Sequence, residues 1–198
     1  MMKTRAGARL TKAARREQLL DIAQAIVAER GADALTLATL ADAAGVTKPI
    51  TYDHFGTRGG LLITLFRRID ARQVAILRRA LERAPATLPD VARVLSRAYI
   101  DCYLSVGAEW QAISAALQGD ETTAAVQQEL IDSYVQIYCD ALAPFATCTP
   151  AALRVRCAGL VGAAEAIARE MGRSAASRRA ATAALATLIQ CGVAAGTK

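Results

Sequence analysis

Apolar residues recur every three to four positions along almost the whole chain, and Gly, Pro, Ser and Thr interrupt them at intervals of one helix length. The first such stretch predicts a helix from Lys12 to Arg30. Leu19, Leu20, Ile22, Ala23, Ile26 and Val27 form its apolar face, and Gly31 stops it. Thr36 then stands at the N-cap of a short helix, "LATLADAAG", in which Leu37, Leu40 and Ala41 face inward and Gly45 ends the run. Val46 reads as a buried spacer. Thr47 reads as the cap of a third helix, with Pro49 in the first turn, where a missing N–H costs nothing, and with Ile50 and Phe55 as apolar anchors. Residues 36–55 are therefore helix, tight glycine-containing turn, helix, which is the length and punctuation of a helix-turn-helix.

The remaining pattern is also helical. It predicts a long helix over 60–83 carrying Leu62, Leu65, Phe66, Ile69, Ile76, Leu77 and Leu81, and another over 88–105 opened by Pro89. "EWQAISAALQ" reads as a separate short helix, and "ETTAAVQQELIDSYVQIYCDAL" as a long one closed by Pro144. Thr149-Pro150 starts a helix reaching Met171 with Gly172 as its stop, and Ser174 caps a last helix ending near Gly196. No stretch alternates apolar and polar residues between turn signals, so no strand is predicted. The expected fold class is all-α: a basic arm over 1–13, a three-helix helix-turn-helix domain over 14–58 and a C-terminal helical domain over 59–198.

Composition agrees with close helix packing. The 198 residues are 54% hydrophobic but only 5% aromatic, with Ala supplying much of the apolar content. The net charge of +6 is unevenly placed. Residues 1–83 hold 15 Lys and Arg against 8 Asp and Glu, whereas residues 84–198 hold 9 against 10. The excess sits where the helix-turn-helix lies, which suggests a polyanion there. "MMKTRAGARLTKAARRE" has six basic residues before its first acid; no apolar core or cleavage-like segment follows, so an arm touching phosphates or a minor groove competes with a plain tail. The uncharged run over 180–197 is rich in Ala, Thr and Gly and too weakly apolar for a span, so it reads as a helix buried against protein. Five cysteines without a CxxC form neither a disulfide framework nor, with one His, a zinc site. Cys102, Cys139, Cys157 and Cys191 read as small buried hydrophobes, and Cys148 as an exposed loop residue.

The chemistry-bearing stretch is "GVTKPITYDHFGTRGGLL", residues 45–62. A catalytic reading fails on geometry. Asp53 and His54 are neighbours and splay about 100° apart on a helix, no nucleophile is fixed nearby, and Gly59-Gly60 follows no strand and so is no phosphate loop. A groove-reading surface fits better. Lys48 supplies a long cationic donor, Tyr52 a hydroxyl on a rigid ring and His54 a polar ring, while Pro49 brings a small apolar surface to a thymine methyl. The plainer alternative is that Tyr52 and His54 only pack and cap.

"LTLATLADAAGVTKPITYDHFGTRGGLL" resembles the DNA-binding segment of the TetR family of bacterial transcriptional regulators. The matching positions are Thr36, Leu40-Ala41, Ala44-Gly45-Val46, Thr47, Tyr52, Phe55, Arg58 and Leu61-Leu62, and the specific likeness covers residues 14–66. Ile50-Thr51 inverts the usual small-polar-then-apolar order, Arg58 stands where Lys is common, and Gly59 replaces a helix former. The resemblance implies a repressor that binds double-stranded operator DNA through Thr36, Thr47, Lys48, Pro49, Tyr52, His54 and Arg58. It also implies a C-terminal half that holds a small-molecule effector, no cofactor, no catalysis, no membrane and a cytoplasmic location.

Two features of the C-terminal half bear on that implication. Tyr99 and Tyr103 are four apart, as are Tyr134 and Tyr138, and Trp110 lies between the pairs. Aromatics at this spacing are often core. Under the resemblance they become, with Phe66, the candidate lining of a mostly apolar or aromatic effector pocket. The last two helices, rich in small residues, read either as an intramolecular hairpin or as a two-fold four-helix homodimer interface. A cysteine-based redox or metal sensor of the same fold is the alternative, with Cys148 as its candidate thiol.

Overall fold

The computed structural model describes residues 10–116, 121–174 and 176–194, the side chains of 121–123 excepted. Among these residues the chain forms eight α-helices and two 3-10 turns, with no strand. They are α1 (Lys12–Arg30), α2 (Leu37–Ala44), α3 (Lys48–Phe55), α4 (Arg58–Glu82), α5 (Leu88–Ala116), α6 (Glu121–Leu142), α7 (Pro150–Arg173) and α8 (Arg178–Ala194). They divide into two compact units. The first comprises the described residues up to 67 and from 109 to 116; the second comprises 68–108 and those from 121 onward.

In the first unit, α1 begins at Thr11, whose hydroxyl accepts from the Ala14 N–H at 3.2 Å. It ends at Gly31, with φ +79°. Thr36 and Thr39 form a reciprocal capping box at the start of α2. Gly45 closes α2 in the left-handed conformation, φ 63° and ψ 35°, with the Gly45 N–H bonded to Asp42 O and the Val46 N–H to Ala41 O. That pair of bonds is a Schellman ending, and it turns the chain into α3 at once. The core of the unit joins Leu19, Leu20, Ala23, Ile26 and Val27 of α1 to Leu37, Leu40 and Ala41 of α2, with Phe55, Leu61, Leu62 and Leu65.

The second unit holds a core drawn from α4 to α8, in which Leu77, Val91, Leu95, Val135, Tyr138, Leu142, Leu153, Cys157, Leu160, Leu185 and Ile189 are buried. Thr149 caps α7 by accepting from the Ala152 N–H at 3.3 Å, with Pro150 in the first turn, as the sequence predicts. Arg156 donates to the Gly192 carbonyl at 3.1 Å, tying α7 to α8. On the far side, Val155, Ala158, Gly159, Gly162 and Ala166 of α7, and Ala184, Leu188 and Cys191 of α8, are exposed.

Four expectations are corrected. α5 runs unbroken from Leu88 to Ala116, so "EWQAISAALQ" is not a separate helix to the extent that its residues are described. Gly107 does not end the helix because no left-handed turn or proline follows it, and a lone interior glycine costs only about 1 kcal/mol. Ser174 ends α7; it is the Ser177 hydroxyl that accepts from the Ala180 N–H, at 3.2 Å, and α8 starts at Arg178. α4 starts at Arg58, two residues before the expected start, because Thr57 caps it by accepting from the Gly60 N–H at 3.0 Å. Of the four cysteines expected to be buried, Cys157 is buried, Cys102 and Cys139 are half-buried and Cys191 is exposed, while Cys148 is half-buried. The expected arm over 1–9 and the end near Gly196 lie outside the described residues.

Candidate nucleic-acid interface and effector site

α3 is held by a small set of polar clamps. Thr51 is fully buried, and its single hydroxyl proton is shared between Leu37 O at 2.9 Å and Lys48 O at 2.8 Å. Phe55, one turn later, is buried on the same face. Ile50 is 36% exposed, so the expected anchor pair Ile50 and Phe55 is in fact Thr51 and Phe55. Four-residue spacing decides this: once Phe55 points inward, position 51 does too, and Ile50 is rotated by about 100°. Arg16 of α1 donates to His54 O at 2.6 Å and to the Thr64 hydroxyl at 3.4 Å, and lies 5.1 Å from the Phe55 ring centroid. That arginine fixes the end of α3, a role the charge count alone did not show.

The opposite face of α3 is open. Thr47, Lys48, Pro49 and Asp53 are exposed, and Tyr52 is 55% exposed. Thr47 takes the N-cap backbone conformation, φ −76° and ψ 147°, but its hydroxyl makes no capping bond. Pro49 has no N–H and the Ile50 N–H is bonded to Thr47 O at 3.0 Å, so the Thr47 hydroxyl stands exposed at the helix start without a capping bond. Asp53 is drawn sideways to Lys12 at 3.1 Å. His54 is half-buried, and its pKa is lowered, first by desolvation and then by Lys12, Arg16 and Arg15 against the pull of Asp53; the imidazole is neutral at pH 7.

Two of the sequence-derived contact residues are occupied elsewhere. Thr36 spends its hydroxyl on the α2 cap. Arg58 turns its guanidinium onto the 3-10 turn Ala32–Ala34 and its neighbour, donating to Leu35 O at 2.9 Å, Ala32 O at 2.8 Å and Asp33 at 3.3 Å. This three-helix unit coincides with the region that comparison singles out: the profile of the bacterial regulatory proteins of the tetR family matches residues 19–65. The helix-turn-helix segment is that of the TetR family.

Two HTH-type transcriptional regulators share part of this sequence. The chain is 38% identical over 77 residues to the HTH-type transcriptional activator FasR of Mycolicibacterium smegmatis, covering 39% of this chain and 35% of that protein. It is 41% identical over 56 residues to the HTH-type transcriptional repressor KstR2 of Rhodococcus jostii, covering 28% of each. The chain thus matches only about a third of the length of these relatives. Among solved structures, the fatty acid degradation regulator FadR of Bacillus halodurans aligns over 94% of this chain and 96% of its own, with a TM-score of 0.68 and 18% identity. A tetR-family regulator of Streptomyces coelicolor aligns over 92% and 80%, with a TM-score of 0.67 and 23% identity. At such identities these structures establish the fold of the chain and no more.

The sequence-derived effector set separates into two groups. Phe66 and Trp110 stack in the first unit, with ring centroids 3.7 Å apart and planes 31° apart. Trp110 sits inside α5 and not at a helix start. Tyr99, Tyr103, Tyr134 and Tyr138 belong to the second unit. The Tyr103 ring packs along Gly107 and brings its hydroxyl to 3.1 Å from the place a Cβ on Gly172 would take. Tyr138 is 1% exposed, and its hydroxyl is buried with no hydrogen-bond partner. Tyr134 donates to Asp70 of α4, a residue the sequence reading passed over. The signal was present: Asp70 follows Leu62 and Phe66 at four-residue steps, which places an acid on the apolar stripe of α4.

Among the described residues no three His, Cys, Asp or Glu side chains are grouped to hold a metal ion. Burial and a hydrogen bond with Cys139, with Cys148 nearby, push the Cys157 thiol up to about 12, and burial pushes Cys102 up to about 11. Both stay protonated at neutral pH, unlike reactive sensor thiols. No helix among the described residues is long and apolar enough to cross a membrane.

Proposed function

We propose that the chain is a homodimeric transcriptional regulator that reads operator DNA with α3 and releases it on binding a small molecule in its second unit. The observation that carries this reading is the outer face of α3, within the segment matched to the TetR family. The exposed Thr47 hydroxyl, at the positive N-terminal end of α3, is placed to hold a phosphate. Lys48 and Tyr52, one turn apart, share the face that enters a major groove, and Pro49 and Ile50 offer apolar contact to thymine methyl groups. His54, neutral, serves at the edge of this face. Thr36 and Arg58 act through the fold: one caps α2, and the other locks the 3-10 turn before it.

The exposed small-residue faces of α7 and α8 support the homodimer. Gly159 and Gly162 have open space where a Cβ would stand, which allows a second backbone to approach closely. A dimer presenting two reading helices ~34–36 Å apart matches successive major grooves. A ligand that favours another spacing needs a coupling of only ~1–3 kcal/mol to weaken DNA binding roughly 5–150-fold. The test is equilibrium binding by fluorescence anisotropy over a salt series. Each neutralised phosphate contributes about 0.9 to the log–log slope. A slope of several units supports the reading, and a slope near zero overturns it.

A further inference from the structure

The second unit contains a polar cluster that its own core does not satisfy. Asp70 of α4 is 6% exposed; one carboxylate oxygen accepts from Tyr134 of α6, and the other, Oδ1, is buried with no hydrogen-bond partner. Tyr99 and Cys102 of α5 bear electrostatically on Tyr134, and Tyr99 in turn bears on Tyr138, whose hydroxyl is the second orphaned polar atom. All of these side chains belong to one compact unit. Natural cores seldom leave two such groups without partners, and each calls for a ligand, ion or water that satisfies it.

The chemistry of the missing partner follows from what surrounds Asp70. The groups that bear on it are Tyr134 and Glu129 of α6 and Cys102 of α5, and none is a cation. A carboxylate or phosphate ligand would meet two acids of its own sign. A neutral hydroxyl could donate only once. A protonated amine brings several N–H donors for Asp70 Oδ1 and the tyrosine oxygens, and its charge is favoured by the faces of neighbouring aromatic rings.

Building on the effector reading above, we propose that Asp70, oriented by Tyr134, selects an effector carrying a protonated amine on an apolar body, with Tyr99 and Tyr138 beside the ammonium group. Burial raises the Asp70 pKa to about 6, so the carboxylate is mostly ionised at neutral pH and open to such a cation.

The test uses the full chain and three probes of similar shape: phenethylammonium, phenethyl alcohol and phenylacetate. Binding to DNA-free protein is measured by calorimetry at neutral pH. The expected order is the amine first, by roughly ten-fold or more over the alcohol, with phenylacetate weakest. Asp70→Asn should bring amine and alcohol to within about two-fold, and Tyr134→Phe should weaken the amine more than the alcohol. The wild-type ranking needs no variant to fold. Equal binding of amine and alcohol, a preference for phenylacetate, no binding of the amine, or an unchanged preference in folded Asp70→Asn each overturns the proposal. Release of retained DNA is followed in parallel. Asp70-dependent amine binding without release upholds the site and removes the effector reading. Release by the alcohol or the carboxylate alone does the opposite.

Discussion

Two adjacent glycines open α4, and replacing each by alanine separates helix propensity from steric need. A Cβ on Gly59 would meet only the Thr57 hydroxyl oxygen, at 3.7 Å. Gly59→Ala should therefore gain up to about 1 kcal/mol from the lower backbone entropy of the unfolded chain. A Cβ on Gly60 would lie 2.3 Å from the Phe55 carbonyl oxygen and 3.5 Å from its carbon. That oxygen already accepts the Thr57 N–H at 2.8 Å, and the Gly60 N–H is bonded to the Thr57 hydroxyl at 3.0 Å. Relief needs α3 and α4 to separate by most of an ångström, and both turn bonds resist it. Overpacking of this kind costs ~1–3 kcal/mol, and backbone cannot rotate away, so Gly60→Ala should lose about 2 kcal/mol even after its propensity gain. The assay is urea unfolding followed by the fluorescence of Trp110, the only tryptophan, which stacks on Phe66 in the same unit. A Gly60→Ala midpoint at or above that of the wild type would refute the α3–α4 packing described here.

Arg58→Met should cost about 2 kcal/mol in the same urea assay, since two charge-assisted bonds to backbone carbonyls are lost from a partly exposed guanidinium. Unchanged stability with a ten-fold loss of DNA affinity would show instead that Arg58 holds a phosphate. Asp70 is held near pKa 6 by burial, faced by Tyr134, Glu129 and Cys102, so the folded state binds its proton more tightly than the unfolded chain does. Stability is then greatest below about pH 4 for this group and declines as pH rises through 6; Asp70→Asn should remove that decline and be more stable near neutrality by up to about 3 kcal/mol. Thermal melting of both proteins across that range checks it, and parallel pH profiles would count against a buried Asp70. Tyr138→Phe removes a hydroxyl that has no partner, so it should melt no lower than the wild type and gain about 1 kcal/mol. A marked loss of stability would mean that the hydroxyl is satisfied.

The helix-turn-helix was legible because glycine and threonine carry conformational demands that few residues meet. Gly31 and Gly45 have positive φ where the pattern stops a helix, and Thr36 and Thr149 cap where it starts one, although Thr47 makes no capping bond. Ile50 and Thr51 were misread because hydropathy alone ranks isoleucine as the anchor. A threonine whose hydroxyl proton has a carbonyl to donate to is as good a buried residue, and that becomes visible only when Leu37 O is in place. Arg16 and Arg58 show the same limit, since a long cation's target is set by tertiary structure and not by its count. In the second unit the tyrosine pairs were found by spacing. Their division from Phe66 and Trp110 was not, because spacing within a helix says nothing about which neighbours pack against it.

In the proposed function the exposed face of α3 reads DNA sequence. Selection from random duplex DNA by purified wild type, Lys48→Ala and Ile50→Ala tests it most directly. The wild type should recover an inverted repeat with half-sites about one helical turn apart. Each variant should relax preference at defined positions in both half-sites, at ~1–3 kcal/mol per lost contact. Recovery of no motif by the wild type, or of one unchanged motif by all three proteins, would contradict it.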